Sequence, residues 1–581
     1  MALVSSSSHL KATARALHAC WLLRRWQPGS STRRTYSIRA QSGRNQGVTT
    51  IADLKSWKSG KEAQQVEVCG WVRSVRKSSQ VRFVDIFDGS SMRPLQAVIT
   101  KELSAEIRPG AAMRFKGSWH NAAGELSGQH LDHGSSSITS ADADPTGGSL
   151  PNSLPRSGHD QDTTGNQATS NEASENSRPG EFTVSEVELL GPSDPQTNPM
   201  QHKYHSPETL RKMPHLRSRT PINSTILRLR SDSIALLNHF FFQEKFQQTH
   251  PPIITSSDCE GAGEAFAVQS SKEKHFFNHT KYLTVSTQLH LEALAQSLGN
   301  VWTLSPTFRA EQSDTSRHLS EFYMLEAEMS FIQDMDVVMD FIQRMLASLV
   351  RGLQQLNAAK ELDINRLDSK EPAERLAFED LVSRVELQRR WRGLLVPSKW
   401  PRITYSEAIE ILRPVAESNP DKFEHTPMWG AGLQSEHEKY LARHVGYDPE
   451  SDALMPVFIT HYPRDIKAFY MPKSSSSPSQ GETVDCFDLI VADLGELAGG
   501  SMREHRLTEL QENMRLHGMS IPTKKNLNGS DLDWYLDLRR WGCPPHGGFG
   551  MGFDRLLSYL TGVPSVRDVV PFPRHHGRCD C

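Results

Sequence analysis

Cysteine is scarce in this chain and is nowhere paired at short spacing. The 581 residues include seven cysteines: Cys20, Cys69, Cys259, Cys486, Cys543, Cys579 and Cys581. An odd number without a C-x-x-C pattern is typical neither of a disulfide framework nor of a structural zinc site. No apolar run reaches the ~18 residues of a membrane-spanning helix, so we expect no membrane insertion. A net charge of -3 excludes a global basic field, and any nucleic acid must therefore bind a local patch.

Acidic residues are absent from the first fifty positions. This stretch holds eight Lys or Arg residues and many Ser, and the first acid is Asp53. Apolar residues between Leu10 and Trp21 fall on one helical face, which is typical of an organelle transit peptide. The sequence RRTYS at positions 33–37 resembles a matrix-protease cleavage site. We predict that residues 1–45 direct the chain to the mitochondrial matrix; the alternative is a disordered basic tail.

Phe, Trp, Tyr, Val and Met are absent from residues 121–180, where Ser, Gly, Asn, Asp and Thr dominate. Such a segment cannot bury a core, so we predict that it is disordered. The runs VEVCGWVRSVR, VRFVDIF and LQAVIT before it, and EFTVSEVELLG after it, alternate apolar and polar residues as strands do. Residues 46–192 are therefore predicted to form one small β-barrel that carries residues 121–180 as an insertion.

Cationic and aromatic residues are interleaved along the first two predicted strands. They are Arg73, Arg76, Lys77 and Arg82 with Trp71, Phe83 and Phe87. A small barrel of the OB type with cations along a groove and an exposed aromatic platform can stack unpaired bases while it neutralises their phosphates. This pattern alone leaves nucleic-acid binding and an ordinary solvated surface about equally open.

A second, larger domain is predicted from residue 220 to residue 581, after a hinge at residues 193–219 that is rich in Pro, His and basic groups. From Ile226 to Gln248 apolar residues recur at helical spacing, and Pro251 and Pro252 are expected to stop this helix. Helices and strands then alternate, which indicates an α+β fold with an antiparallel sheet flanked by helices. The polar stretch KSSSSPSQGET, residues 473–483, is predicted to be a flexible insertion.

The stretch FRAEQSDTSRHLSEFYMLEAEMSF, residues 308–331, combines cationic, acidic and aromatic groups in one predicted hairpin. If both arms are strands, Arg309 lies beside Glu311. Phe322, Glu326 and Glu328 then line one side of the second arm. A surface hairpin with solvated charges is the alternative, but it does not explain why the acids alternate with apolar residues. We interpret the hairpin as one that grips a nucleotide.

Two stretches nearer the C-terminus carry further candidate ligand groups. Asp488 and Glu496 flank a predicted turn in FDLIVADLGELAGGSMREHR, where two carboxylates can share a Mg²⁺ held mainly by substrate phosphates. An ordinary hairpin with exposed acids is the alternative. In PPHGGFGMGFDRLL, glycines allow the backbone to approach a ligand or another strand closely, and Arg555 follows on a predicted helix.

Together these pieces resemble the class II aminoacyl-tRNA synthetases, from residue 65 to the C-terminus outside the two insertions. The helix before Pro252 is similar to the first motif of the family, which forms a dimer interface. FRAEQSDTSRHLSEF is similar to the second motif and GGFGMGFDRLL to the third. A small barrel ahead of these motifs is the arrangement of the subclass that serves Asp, Asn and Lys. THYPRDIKAFYM, WGAGLQSEHEKYL and VPSVRDVVPFPR are most similar to its asparaginyl members.

The resemblance implies a homodimer that uses ATP and Mg²⁺ to ligate L-asparagine to tRNA(Asn) through an asparaginyl-adenylate. The implied ATP ligands are Arg309 at the α-phosphate, Glu311 at the adenine amino group, Arg317 and His318 at the outer phosphates, and Phe322 and Arg555 on the two faces of adenine. The implied metal ligands are Glu496 and Asp488, and the catalytic set is Arg309, Arg555 and Glu496. The implied amino-acid ligands are Glu260 and Gln288 at the α-amino end and Arg503 and Glu326 at the side chain. Phe83 and Gln96 match positions that bind anticodon bases.

Selection of asparagine is expected because Leu291 stands where aspartyl members carry a Lys that pairs with the substrate carboxylate. An aspartyl enzyme, including one that charges both tRNAs, is the main alternative, with Lys467 as a candidate for the missing charge. A catalytically inactive RNA-binding relative is disfavoured because Arg309, Glu311, Glu496 and Arg555 are all present. An asparagine synthetase on the same catalytic domain would have no use for the barrel.

Overall fold

The computed structural model describes residues 48–56, 63–120, 180–256, 265–270, 273, 276–313, 315–368, 372–519 and 532–581. The predicted transit segment, residues 121–179 of the predicted insertion and the candidate ligand Glu260 lie outside the described residues. The account below is confined to the ranges given.

The N-terminal strands close into a barrel. They are β1 (Ala63–Lys77), β2 (Val81–Phe87), β3 (Leu95–Thr100), β4 (Ala112–His120) and β5 (Glu181–Gly191). Their order around the barrel is β1-β2-β3-β5-β4, so the strand that follows residues 121–179 completes it. Alternate residues such as Leu95, Ala97 and Ile99 are buried inside. The predicted barrel is thereby confirmed, and β4, which the sequence analysis did not single out, alternates in the same way through Met113 and Phe115.

The larger part of the chain is built on an eight-stranded sheet. The strands after the barrel are β6 (Gln247–Gln248), β7 (Ile254–Thr255), β8 (Ala267–Val268), β9 (Lys281–Leu283), β10 (Val301–Phe308), β11 (Glu321–Ser330), β12 (Arg402–Thr404), β13 (Tyr447–Asp448), β14 (Ala453–Leu454), β15 (Val457–Thr460), β16 (Cys486–Val491), β17 (Gly495–Met502) and β18 (His546–Gly552). The sheet order is β12-β15-β16-β17-β18-β11-β10-β6. Neighbours are antiparallel except for β12–β15 and β10–β6. The predicted antiparallel sheet is therefore confirmed.

Helices flank this sheet. They are α1 (Ile51–Ser56), α2 (Pro207–Arg211), α3 (Pro214–Arg217), α4 (Pro221–Gln243), α5 (Gln288–Leu298), α6 (Met335–Leu353), α7 (Asn357–Asp368), α8 (Pro372–Glu379), α9 (Arg384–Leu395), α10 (Tyr405–Ser418), α11 (Ser435–Gly446), α12 (Leu507–Leu516), α13 (Asp533–Arg540) and α14 (Phe553–Thr561). The main core forms where α4 and α6 cover the sheet, and there Phe241 stacks on Trp302 with 4.3 Å between ring centroids. In the described part of the chain, no helix combines the length and the apolar character needed to cross a membrane.

Helix α4 ends earlier than the apolar spacing indicated. It stops at Gln243, and Lys245 adopts a left-handed conformation with φ of 63° that turns the chain out of the helix. Gln247 and Gln248 then pair in parallel with Val301 and Trp302 at the sheet edge. The turn and this edge strand therefore end the helix, and the two prolines come after them.

The segment predicted as a hinge, residues 193–219, packs against the larger part of the chain. The Tyr204 hydroxyl donates to Asp380 over 2.8 Å, and Arg211 pairs with Asp568. Farther along, residues 473–483 form a loop whose ends are joined by a bridge between Lys473 and Val484.

Candidate active site

One cleft is lined by every residue that the sequence analysis assigned to ATP. Arg309, Glu311, Arg317 and His318 come from the β10–β11 loop, Phe322 from β11, Glu496 from β17 and Arg555 from α14. Strand β10 ends at Phe308, so Arg309 and Glu311 lie in the loop and not on a strand as expected. They are still neighbours, with 3.9 Å between Arg309 Nη1 and Glu311 Oε1. On β11, Phe322, Glu326 and Glu328 share one side of the strand, as alternation requires.

The loop is held by backbone contacts with the C-terminal segment. Ser316 accepts a hydrogen bond from the Val566 backbone N–H over 2.9 Å, and the Ser320 N–H donates to the Arg574 carbonyl over 2.7 Å. The Arg309 N–H closes the neck of the loop on the Ser320 carbonyl over 3.0 Å. These bonds fix the direction in which the cationic side chains enter the cleft.

Positive charge dominates the loop side of the cleft. The Arg309 guanidinium lies 5.7 Å from the centre of the Phe322 ring, within cation–π range. Burial lowers the pKa of His318, the neighbouring arginines lower it further, and Glu311 only partly opposes them. His318 is therefore a neutral hydrogen-bonding group at neutral pH.

Arg555 lies at the start of α14, on the sheet side of the cleft. Its Nη1 donates to the Glu496 carbonyl over 3.0 Å and lies 3.9 Å from Glu496 Oε2. Asp554 accepts from the Tyr323 backbone N–H over 2.8 Å and thereby ties α14 to β11. An aromatic ring, a planar cation and further cations on one cleft are the groups that bind a base and its phosphates.

The two candidate metal ligands lie on the β16–β17 hairpin. Asp488 Oδ1 and Glu496 Oε1 are each 3.4 Å from the point that a Cβ on Gly499 would occupy, so both oxygens face one small space. Lys467 Nζ lies 2.7 Å from Asp488 Oδ2 and takes up part of its charge. Among the described residues, no group of three His, Cys, Asp or Glu side chains has the geometry of a metal site. Two carboxylates fit a Mg²⁺ that takes its other ligands from phosphates and water.

Glu438 is a third carboxylate at this hairpin, and the sequence analysis missed it. It projects from α11, and its Oε2 accepts from the Glu496 backbone N–H over 3.1 Å. Gly495 has φ of 81°, and a Cβ there would overlap the Glu438 carboxylate, so glycine is required on both counts. Burial and the charge of Glu496 raise the pKa of Glu438 to about 7. Its position beside the buried His437 and Leu441 on α11 was the available signal.

Glu326 holds the turn that begins α5. It accepts from Ser286 Oγ over 2.6 Å, from the Thr287 N–H over 3.0 Å and from the Thr287 hydroxyl. Because α5 begins at Gln288, these bonds place the Gln288 side chain at the start of the helix. Leu291 faces the other way and packs in an apolar cluster with Ala295.

Arg503 is fully buried and forms a two-point ion pair with Glu328. Its Nε and Nη2 donate to the two Glu328 oxygens over 3.2 and 3.1 Å, and its Nη1 donates to Ser501 Oγ over 2.6 Å. Burial opposes the charge of Arg503, but Glu328 and Glu292 outweigh it and raise its pKa. A Cβ on Gly548 would overlap the Glu328 carboxylate, so this glycine of the third motif makes room for the pair.

Behind this pair lies a buried cluster around Glu292 that the sequence analysis also missed. Glu292 accepts from Arg539 Nη2 over 2.6 Å, from the Tyr535 hydroxyl over 2.8 Å, from His546 Nε2 over 3.2 Å and from Gln288 Nε2 over 3.1 Å. Burial would raise the pKa of Glu292, but Arg539 and His546 outweigh it and lower the pKa. Burial likewise opposes the charge of His546, whose bonds with Cys543 and Glu292 raise its pKa to about 10.

The candidate anticodon residues lie on the outside of the barrel. Phe83 on β2 and Gln96 on β3 point outward on adjacent strands, because the residues between them on each strand are buried. The Arg76 guanidinium lies 6.0 Å from the centre of the Phe83 ring. Phe87 is buried and Arg73 pairs with Glu374 over 2.7 Å, so neither belongs to an open base-binding face.

The fold and this site define a class. The family model of class II tRNA synthetases for D, K and N matches residues 206–576, and the chain belongs to this family.

Relatives within the class narrow the comparison to one amino acid. The chain is 35% identical to the mitochondrial asparagine–tRNA ligase of Saccharomyces cerevisiae over 92% of this chain and 97% of that protein. It is 37% identical to the asparagine–tRNA ligase of Microcystis aeruginosa over 91% of this chain and 98% of that protein. The crystal structure of asparaginyl-tRNA synthetase from Pyrococcus horikoshii with asparaginyl-adenylate aligns with a TM-score of 0.67 at 25% identity, over 91% of this chain and 99% of that one.

Proposed function

We propose that this chain is an asparagine–tRNA ligase: it activates L-asparagine with ATP and transfers it to tRNA(Asn). The single observation that carries the proposal is the cleft in which Arg309, Phe322, Glu496 and Arg555 meet. No protein nucleophile is required, because the asparagine carboxylate itself attacks the α-phosphorus. This forms asparaginyl-adenylate and releases pyrophosphate. A terminal ribose hydroxyl of the tRNA then takes the acyl group and AMP leaves.

The side chains of the cleft have separate tasks in this reaction. Phe322 and Arg555 hold the adenine between them, and Glu311 accepts from its amino group. Arg309 stabilises the charge that grows on the α-phosphate oxygens, and such a preorganised cation is among the largest contributions to catalysis. Arg317 and His318 orient the outer phosphates, so that the attacking carboxylate and leaving pyrophosphate are in line.

Mg²⁺ is the proposed cofactor, and Glu496 with Asp488 would hold it. When bound, the ion would neutralise phosphate charge. The paired oxygens that face the space over Gly499 support this assignment. Asp488 shares its charge with Lys467, so Glu496, whose side chain is 45% exposed, is the more available ligand.

The amino acid is proposed to bind between α5 and β17. Gln288 and Glu260 would bind the α-amino group, and Arg503 the side-chain oxygen. One N–H on each of Nη1 and Nη2 of Arg503 is left over after the bonds to Glu328 and Ser501. Glu326 would accept from the substrate amide in addition to holding the α5 turn.

The remaining proposals concern domains, assembly and location. Residues 46–192 would act as the anticodon-binding domain through Phe83 and Gln96, and residues 220–581 as the catalytic domain after the hinge at 193–219. A homodimer through α4 and the strand around Pro252 is supported by Phe242, whose side chain is 79% exposed beside the sheet edge. Two relatives are mitochondrial enzymes, and together with the acid-free N-terminus they support mitochondrial localisation, with the matrix as the compartment.

The test is pyrophosphate exchange with purified protein and each of the standard amino acids. We expect exchange with asparagine and charging of a tRNA(Asn) transcript in the presence of Mg²⁺. Phe242→Glu should shift the protein from dimer to monomer in analytical ultracentrifugation. Absence of asparagine-dependent exchange from a folded protein would reject the proposed function.

A further inference from the structure

The cluster around Glu292 is not used by the mechanism given above. We propose that Glu292 is a positioning residue that fixes the direction of the Gln288 side-chain amide, so that Gln288 presents its carbonyl oxygen to the α-ammonium of the bound amino acid. This inference rests on the proposed function, because it deepens the role given there to Gln288.

The two ends of a side-chain amide differ in chemistry, since the NH₂ end only donates and the carbonyl end only accepts. Gln288 Nε2 donates to Glu292 Oε1 over 3.1 Å, one helical turn farther along α5. A carboxylate can only accept, so this contact specifies which end of the amide points inward. The carbonyl Oε1 receives no hydrogen bond from the described residues, and it is the end that an ammonium group can donate to. An amide turned the other way would oppose its NH₂ to that ammonium.

Glu292 is itself held in one position and one ionisation state. Tyr535 and Arg539 are four residues apart on α13 and therefore donate to it from one helix face. His546 donates from both ring nitrogens, Nδ1 to the Pro544 carbonyl over 2.8 Å and Nε2 to Glu292, which is the pattern of an imidazolium. Glu292, Tyr535, Arg539 and His546 are all buried. An ionised carboxylate with these partners cannot turn to become a donor.

A neutral residue of the same shape removes this control. In Glu292→Gln, position 292 carries an acceptor and a donor, so the Gln288 amide is no longer restricted to one orientation. Binding of the α-ammonium is shared by the ground state and the transition state, and its loss therefore raises KM more than it lowers kcat. We expect KM for asparagine to rise roughly 10- to 100-fold, the range of one charge-assisted hydrogen bond. We expect kcat and KM for ATP to stay within about twofold.

The decisive probe is succinamate, which is asparagine without its α-amino group. It has no ammonium for Gln288 to bind, so its inhibition constant in pyrophosphate exchange should be the same for wild type and Glu292→Gln. In a Gln288→Ala background, Glu292→Gln should raise KM for asparagine no further, because the two residues act as one unit. The matched control is Glu361→Gln, where the carboxylate accepts from Ser91 and Met92 at the barrel. There, KM for asparagine should not change.

Two results would overturn the inference: an unchanged KM for asparagine in Glu292→Gln, or equal weakening of asparagine and succinamate. If Glu292→Gln does not fold, Tyr535→Phe removes one donor from Glu292 and should raise KM for asparagine with no effect on succinamate. Equal weakening of both by that variant would also reject positioning. Wild-type protein without asparagine-dependent exchange would reject the proposed function instead.

Discussion

Replacing asparagine by aspartate in the amino-acid site is the sharpest perturbation that the structure predicts. The buried groups around the site are three carboxylates, Glu292, Glu326 and Glu328, and three cations, Arg503, Arg539 and His546. The charge of Arg503 is matched by its two-point pair with Glu328 over 3.1 and 3.2 Å. A neutral amide therefore leaves the site balanced, whereas a carboxylate adds one negative charge.

No described cation is placed to accept that charge. Leu291 packs in an apolar cluster, and Lys467, the candidate for the missing charge, is 2.7 Å from Asp488 and 3.9 Å from the centre of the Tyr462 ring. An uncompensated buried charge costs about 4 kcal/mol. At 1.4 kcal/mol per decade this corresponds to roughly 10³-fold discrimination, without an editing site.

The assay is pyrophosphate exchange with each amino acid over a range of concentrations, compared as kcat/KM. Aspartate should be at least roughly 10³-fold poorer than asparagine. The aspartate stock must be free of asparagine, since contamination of one part in a thousand would mimic the predicted activity. Aspartate activation within about tenfold of asparagine, a gap of about 1.4 kcal/mol, would refute the charge-balance reasoning.

Four further results are expected. Arg309→Ala should lower adenylate formation on the order of 10²-fold or more, whereas Phe83→Ala should weaken tRNA charging by roughly 1–3 kcal/mol of stacking and leave pyrophosphate exchange intact; equal effects in both assays would contradict the division of labour. Deletion of residues 123–177 should leave melting temperature and activity nearly unchanged, because loop length costs little entropy. Residues 1–45 fused to a fluorescent reporter should carry it into mitochondria, and a cytosolic reporter would contradict this. The pKa of His546 is raised from 6.5 to about 10, so its stabilising contribution is complete below pH 6.5 and is lost as pH rises toward 10. The melting temperature should fall across that window at up to about 1.4 kcal/mol per pH unit, and His546→Gln should flatten the fall.

Local patterns were sufficient to predict the hairpin and the barrel. Alternation placed Phe322, Glu326 and Glu328 on one side of β11, and turn residues separated the barrel strands. Such patterns depend on neighbours along the chain, and the resemblance to a family supplied the roles of the ATP residues. The exact end of α4 was out of reach, because a single left-handed residue, Lys245, decided it.

The buried charges were not predictable from spacing. In WYLDLRR, Tyr535 and Arg539 read as a solvated helix face, yet both are buried against Glu292. Glu292 itself lies one turn beyond Gln288 and resembles any exposed helical acid. Only the packing of α13 onto α5, which are far apart in the chain, supplies the partners that make their burial tolerable.

The C-terminal contacts of the phosphate loop have a consequence for synthesis of the protein. Ser316 and Ser320 receive backbone bonds from residues that leave the ribosome about 250 positions later, since Ser565 and Ser316 are 249 residues apart. A chain interrupted before Val566 can complete its barrel and most of its sheet, yet its loop lacks the clamp that orients Arg317 and His318. Premature termination products should therefore be folded but unable to consume ATP, which prevents a truncated enzyme from draining nucleotide during translation.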